Sequence, residues 1–255
     1  MPDKLTKDPG STLLLATDFD GTIARITPRP DDAFIEESAF RLLEECASSP
    51  SIVLAVVSGR DVDDVRFRLG GVPAIVAGSH GHECVDAHGR MLWSAPRVIP
   101  DLDAGLLVEL TLAGLLIEPK KFSVALHYRG REPDDLAPLL SRFARWAGHN
   151  GLDLLPGRKV VEARVPGGGK RAAIRAIAGL VQARRVIYAG DDRTDFEALA
   201  LAAERGSAIF VRSSERNPPA IEGLQVVATV DGLCAALRSE IGKPPRAPAP
   251  RFSAM

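Results

Sequence analysis

The feature that most constrains this chain is a set of short apolar runs, residues 13–17, 52–57, 74–77, 185–189, 208–211 and 224–228. Several have no polar interruption, as expected of strands buried on both faces of a parallel sheet. Between them, residues 32–47, 62–69, 170–182 and 195–204 carry apolar side chains at helical spacing and start near Asp or other polar residues that can cap a helix. Strand and helix alternate, which predicts an α/β domain with a parallel sheet. The stretch 97–166 has a different pattern: a helical segment, an alternating strand at 122–128, a second helical segment at 134–146, and strand candidates at 152–155 and 159–163. The expected organisation is a core formed by 1–96 and 167–242, an inserted α+β domain at 97–166, and a disordered tail at 243–255 that contains KPPRAPAPR.

Composition narrows the partners. The 255 residues are 45% hydrophobic, enough for a sizeable core. Lys and Arg total 32 against 33 Asp and Glu, so no basic excess favours nucleic acid or anionic lipid. A small-molecule partner is expected. Cys46, Cys84 and Cys234 are far apart and form no CxxC pair, which reads as buried thiols of a reducing cytoplasm. The N-terminal MPDKLTKDPGS is polar, and no run approaches the ~18 apolar residues of a membrane span.

In open α/β sheets the functional groups gather beyond the carboxyl ends of the strands. The first run is followed by Asp18-Phe19-Asp20-Gly21-Thr22, the second by Ser58-Gly59-Arg60, and the fourth by Gly190-Asp191-Asp192-Arg193-Thr194-Asp195. Any one of these could be an ordinary polar turn or helix cap; their conjunction on one rim is the signal. Clustered carboxylates need a cation, and all-oxygen ligation beside a phosphate suits Mg²⁺. Asp18 is the expected nucleophile, forming an aspartyl-phosphate, and Asp20 the acid that protonates the leaving alkoxide and then activates water. Gly21 would let backbone approach the phosphate, and Thr22, Ser58 and Lys170 would donate to it. Lys170 follows Gly167-Gly168-Gly169. Asp191 would hold the metal, with Asp192 and Asp195 orienting ligands around it. DFDGT lacks the later ligands of an EF-hand loop, and GGGKR lacks P-loop spacing.

DFDGT, SGR, the later Lys170 and GDDRTD, in that order, resemble the four motifs of the haloacid dehalogenase superfamily of phosphatases. Within it the chain resembles the trehalose-6-phosphate phosphatase family through Gly78-Ser79-His80-Gly81-His82-Glu83, through Glu118-Pro119-Lys120-Lys121 with His127-Tyr128-Arg129, and through Val161-Glu162 ahead of Lys170. The resemblance implies a Rossmann-like core with a cap, and hydrolysis of trehalose 6-phosphate to trehalose and phosphate. It places Gly59 with the phosphate-binding loop and brings Asp18, Asp20, Asp191, Asp192 and Asp195 to the metal. It also implies substrate contacts from Arg60, His80, Glu83, Glu118, Lys120, His127, Arg129, Arg158 or Lys159, and Glu162. Arg171 and Phe196 depart from the family pattern. Another sugar phosphate, such as sucrose phosphate or glucosylglycerol phosphate, and a catalytically silent sugar-phosphate sensor remain alternatives, as does transient association with a trehalose-phosphate synthase.

Overall fold

The structure, a computed structural model, describes residues 12–27, 29–132, 134–157, 159–212 and 217–243. Arg158, and all of the expected tail except Lys243, lie outside the described residues. The chain divides into two compact units, Met1–Ser94 with Gly168–Met255, and Ala95–Gly167.

The first unit begins with β1 (Leu13–Thr17), α1 (Glu37–Ser48), β2 (Ile52–Val57), α2 (Val62–Arg68), β3 (Ile75–Gly78), β4 (Glu83–Val85) and β5 (Met91–Ser94). The second unit then contributes α3 (Ala104–Leu112), β6 (Leu116–Pro119), β7 (Ser123–His127), α4 (Ala137–His149), β8 (Asp153–Gly157) and β9 (Val160–Arg164). The first resumes with α5 (Lys170–Leu180), β10 (Arg185–Gly190), α6 (Phe196–Arg205), β11 (Gly206–Val211), β12 (Gln225–Val227) and α7 (Val230–Ile241).

The large sheet runs β12-β11-β10-β1-β2-β3-β4-β5. β1 lies near its middle, parallel to β10 on one side and β2 on the other. Every residue of β1 and β10 is buried, which explains why both are written largely in apolar residues. Alternate β1 residues feed two cores. Leu13 and Leu15 join Leu42 of α1, Val65 of α2 and Leu237 of α7. Leu14 and Ala16 join Ile174 and Ile177 of α5 and Leu199 and Ala202 of α6.

At the far edge the sheet is antiparallel, β3 with β4 and β4 with β5, so it is mixed rather than wholly parallel. This edge is not legible beforehand because β4 has three residues, Glu83-Cys84-Val85, too few to show a period. β6 and α7 were also not anticipated. β6 is a short, mostly exposed edge strand ending in Pro119. α7 is signalled locally by Thr229, whose hydroxyl accepts from the Gly232 N–H at 3.0 Å.

The second unit has a four-stranded antiparallel sheet, β6-β7-β9-β8. Val124 and Leu126 of β7 and Ala163 of β9 pack with Leu106 and Leu110 of α3 and with Phe143 and Trp146 of α4. Ser123, Ala125 and His127 occupy the alternate positions of β7. A 3-10 turn takes residues 134–136, and α4 starts at Ala137 with a proline in its first turn, where the missing N–H costs nothing. Among the described residues no helix is long and apolar enough to cross a membrane. All three cysteines are unpaired and buried.

Leu15→Ala, in the fully buried middle of β1, is expected to cost about 2–5 kcal/mol of stability by removing packed atoms and leaving a cavity. Urea unfolding monitored by circular dichroism measures it, and a loss under about 1 kcal/mol would contradict the packing described.

Candidate active site

Strand register assembles the site. Thr17, the last residue of β1, pairs with Ala189 of β10 and Val56 of β2, so Asp18, Asp191 and Ser58 all emerge from the same rim of the sheet. The Asp18 N–H donates to the Ala189 carbonyl at 2.8 Å and the Ser58 N–H to the Ala77 carbonyl at 2.9 Å, extending the ladder one residue beyond the strands. Lys170 opens α5 after Gly169, whose φ of 101° turns the chain into the helix in a conformation that favours glycine. The Gly169 N–H is anchored on the His80 carbonyl at 2.6 Å.

Asp18, Asp191 and Asp195 each offer a carboxylate oxygen within 4.8 Å of the others, and all three are buried. The Lys170 ammonium lies between two of them, 2.9 Å from Asp18 Oδ1 and 2.8 Å from Asp195 Oδ1. Asp195 is the hub. Its Oδ1 also accepts from the Tyr188 hydroxyl at 2.5 Å, and its Oδ2 from the backbone N–H groups of Asp191 (3.2 Å) and Asp192 (3.0 Å). With both Asp195 oxygens engaged by protein donors, Asp18 and Asp191 are the carboxylates best able to face an ion. Gly21 has φ 79°, and a β-carbon there would collide with the Asp191 carboxylate. The room that Gly21 provides is therefore for Asp191, where the sequence suggested room for phosphate.

Electrostatics test whether a cation fits. Burial raises Asp18 well above the usual carboxylate range; Lys170 pulls it down, and Asp195 and Asp191 push it up. Asp191 is raised to about 7, first by burial and then by Asp195, against the pull of Lys170. Lys170 is lowered by burial but raised overall by Asp18 and Asp195. Three buried carboxylates share one ammonium, leaving a deficit of positive charge that a divalent cation on oxygen ligands would fill. The donor set fits such an ion.

Other expected residues are placed differently. Asp20 and Asp192 are not in the buried carboxylate cluster. Both Asp20 oxygens accept from Arg60, at 2.7 Å each. Asp192 forms a reciprocal capping box with Asp195 at the turn before α6. The Thr22 hydroxyl, fully buried, donates to Asp191 Oδ1 at 3.4 Å, so it serves the carboxylate rather than an incoming phosphate. Ser58 Oγ accepts from the Arg60 N–H at 3.1 Å, which leaves its own proton to donate. The His80 ring lies where a side chain on Gly59 would be, so Gly59 makes space for an imidazole. Glu83 is 4% exposed and accepts from the Val62 N–H at 3.3 Å and the Ser79 hydroxyl at 3.4 Å; it fastens α2 to the 79–83 turn, a structural role where a sugar contact was expected.

In the second unit, register aligns Glu118, Ala125 and Glu162 in one row across β6, β7 and β9. The His127 Nε2 is 2.9 Å from Glu118 Oε2 and the Lys120 ammonium 3.6 Å from it. Glu162 accepts from the Ser123 hydroxyl. Arg129 is exposed just beyond β7. The Lys159 ammonium is engaged by Glu132 at 3.1 Å and the Arg131 carbonyl at 2.9 Å. Sequence reasoning missed Tyr188, which donates to Asp195, and Asp64, which accepts from Arg60. Tyr188 sits two residues before Gly190 on the same strand, and that period-two spacing was the available signal.

The trehalose-phosphatase family model matches residues 16–220, most of the chain. The chain belongs to the trehalose-phosphatase family. A trehalose-phosphate phosphatase of Mycobacterium marinum is 32% identical over 240 residues, covering 88% of this chain and 61% of that protein. An uncharacterized glycosyl hydrolase of Mycobacterium tuberculosis is 34% identical over 214 residues, 78% of this chain and 16% of that protein. The chain thus spans less than two thirds of these relatives' length. A haloacid dehalogenase-like hydrolase from Bacteroides thetaiotaomicron superposes with a TM-score of 0.66 at 14% identity, covering 90% of this chain and 99% of that one, and so shares its fold.

The raised carboxylates give this family member a signed pH dependence. In EDTA the Asp191 carboxyl keeps its proton in the folded chain but not in the unfolded one between the ordinary value of 3.8 and about 7, so its contribution to stability falls as pH rises through that window. Melting temperatures in EDTA should decline across it, Asp191→Asn should flatten the decline, and added Mg²⁺ should raise the melting temperature more at about pH 8 than at about pH 5. An Asp191→Asn slope equal to the wild-type slope would refute the assignment.

Proposed function

We propose that this protein is a Mg²⁺-dependent phosphatase acting on trehalose 6-phosphate, with Asp18 as the nucleophile. The observation that supports it best is the Asp18–Lys170–Asp195 arrangement beside Asp191, on one rim of a parallel sheet. Lys170 fixes one Asp18 oxygen and leaves the other to attack phosphorus, giving an aspartyl-phosphate as the sugar alkoxide departs. Asp20 gives that alkoxide a proton and takes one from the water that later cleaves the acyl phosphate. Ser58 and Lys170 hydrogen-bond the phosphoryl oxygens, and Thr22 and Gly21 hold Asp191 in place. A bound Mg²⁺, held by Asp18 and Asp191 with Asp195 and Asp192 ordering the loop behind them, would neutralise charge between carboxylate and phosphate.

Substrate choice is assigned to the 95–167 unit as a cap. Recognising a polyol takes charged groups that bond several hydroxyls at once, and Glu118, Lys120, His127, Arg129 and Glu162 supply them. The name of the Mycobacterium marinum relative supports trehalose 6-phosphate over other sugar phosphates. A cytoplasmic setting accords with three buried, unpaired thiols, and a trehalose-phosphate synthase met transiently would be the source of substrate.

Phosphate release from trehalose 6-phosphate, sucrose 6-phosphate, glucosylglycerol phosphate and glucose 6-phosphate tests the reading. Trehalose 6-phosphate should be cleaved with the highest kcat/KM, and the activity should vanish in EDTA and return with Mg²⁺. Equal turnover of the panel would remove the substrate assignment. Asp18→Asn should abolish turnover while leaving the circular dichroism spectrum unchanged; retained turnover would remove the nucleophile.

A further inference from the structure

Asp20 is held by a ladder of charges that runs from Arg60 through Asp64 to Arg68. Arg60 grips both of its oxygens, Nε on Oδ2 and Nη2 on Oδ1, each at 2.7 Å. The remaining edge of the same guanidinium, Nη1, donates to Asp64 Oδ2 at 2.7 Å. The other Asp64 oxygen accepts from Arg68 Nε at 2.6 Å. Arg68 is only 5% exposed and ends the ladder on main chain, its Nη1 donating to the carbonyls of Asp31 and Ala33 at 2.8 Å each. Arg60, Asp64 and Arg68 are spaced four apart, from just before α2 to its last residue, so the turn into the helix and the helix itself bring them to one side. Asp61 fixes the helix start by accepting from the Asp64 N–H at 2.8 Å. The Phe19 ring supports Arg60 from the side, with Cζ 5.7 Å from its centroid.

The geometry suits holding a proton carrier in place. A carboxylate has about four lone-pair sites and the guanidinium fork uses one on each oxygen, so two remain to accept and hand over a proton. The Asp20 side chain is 38% exposed, so without the fork it would sample several rotamers. The sequence suggested that Arg60 contacts substrate; the structure directs Nε and Nη2 to Asp20 and Nη1 to Asp64.

We propose that Asp64, acting through Arg60, is a positioning residue for the Asp20 acid/base. The proposal rests on the reading of Asp20 given above. Asp64→Asn in the full chain replaces one acceptor oxygen with an amide that repels the arginine facing it. With trehalose 6-phosphate, kcat should fall roughly 10-fold and KM stay within about two-fold, since a misplaced acid weakens the transition state and not the ground state. With p-nitrophenyl phosphate, whose leaving group departs without a proton, the pre-steady-state burst rate should change less than about two-fold. Arg60→Lys keeps the charge but breaks the fork; it should show the same split and serves as the test if Asp64→Asn does not fold. The kcat-against-KM split decides by itself if the aryl ester is not turned over.

Wild-type kcat in the variants, a rise in KM alone, or equal loss of both substrates' burst rates would overturn the proposal. Asp20→Asn separates its failure from that of the underlying reading. If that variant slows the burst phase with the sugar phosphate no more than with the aryl phosphate, Asp20 is not the acid; if it slows the sugar phosphate more and Asp64→Asn does not, only the positioning role fails.

Discussion

The Lys170 ammonium, sealed between Asp18 and Asp195, is the interaction on which the rest of the site depends. Without it three buried carboxylates would face one another at the end of β1, and such a cluster would discharge by taking up protons or by expelling a side chain into water. One ammonium cannot balance three acids, however. That shortfall favours a divalent cation on oxygen ligands, so a structural imbalance becomes a binding preference. The glycine turn ahead of α5 and the β1–β10 pairing exist, in this view, to deliver one cation and three anions to the same few ångströms.

Asp195 shows how the loop after β10 serves both charge and shape. It meets Lys170 and Tyr188 through one oxygen and the backbone of Asp191 and Asp192 through the other. A single side chain thereby ties the helix carrying Lys170 to the loop carrying Asp191. Gly190 beneath it has no β-carbon, and one would strike the Asp195 carboxylate.

Much of this was legible from residues alone. The runs at 13–17 and 52–57 coincide with β1 and β2 because strands buried on both faces are written without polar interruption. The motif residues after them were recognisable because chain order and strand ends locate them without side-chain coordinates. What could not be read was partnership. The sequence shows Arg60 and Asp20 forty residues apart and says nothing of the fork that joins them. It shows Glu83 in a segment that looked like substrate chemistry, yet the glutamate lies inside and fastens a helix. The β4–β5 edge was invisible for a different reason: strands of three and four residues hold too few positions to express a period.

The register of β1 against β10 has one more implication. Side chains on a strand alternate between faces, so a slip of one residue in either strand would send Asp18 or Asp191 toward the opposite layer. Helix content and compactness would survive such a slip largely intact. The carboxylate cluster is thus a vernier on strand alignment, and misassembled molecules of this fold should lose it well before they look unfolded.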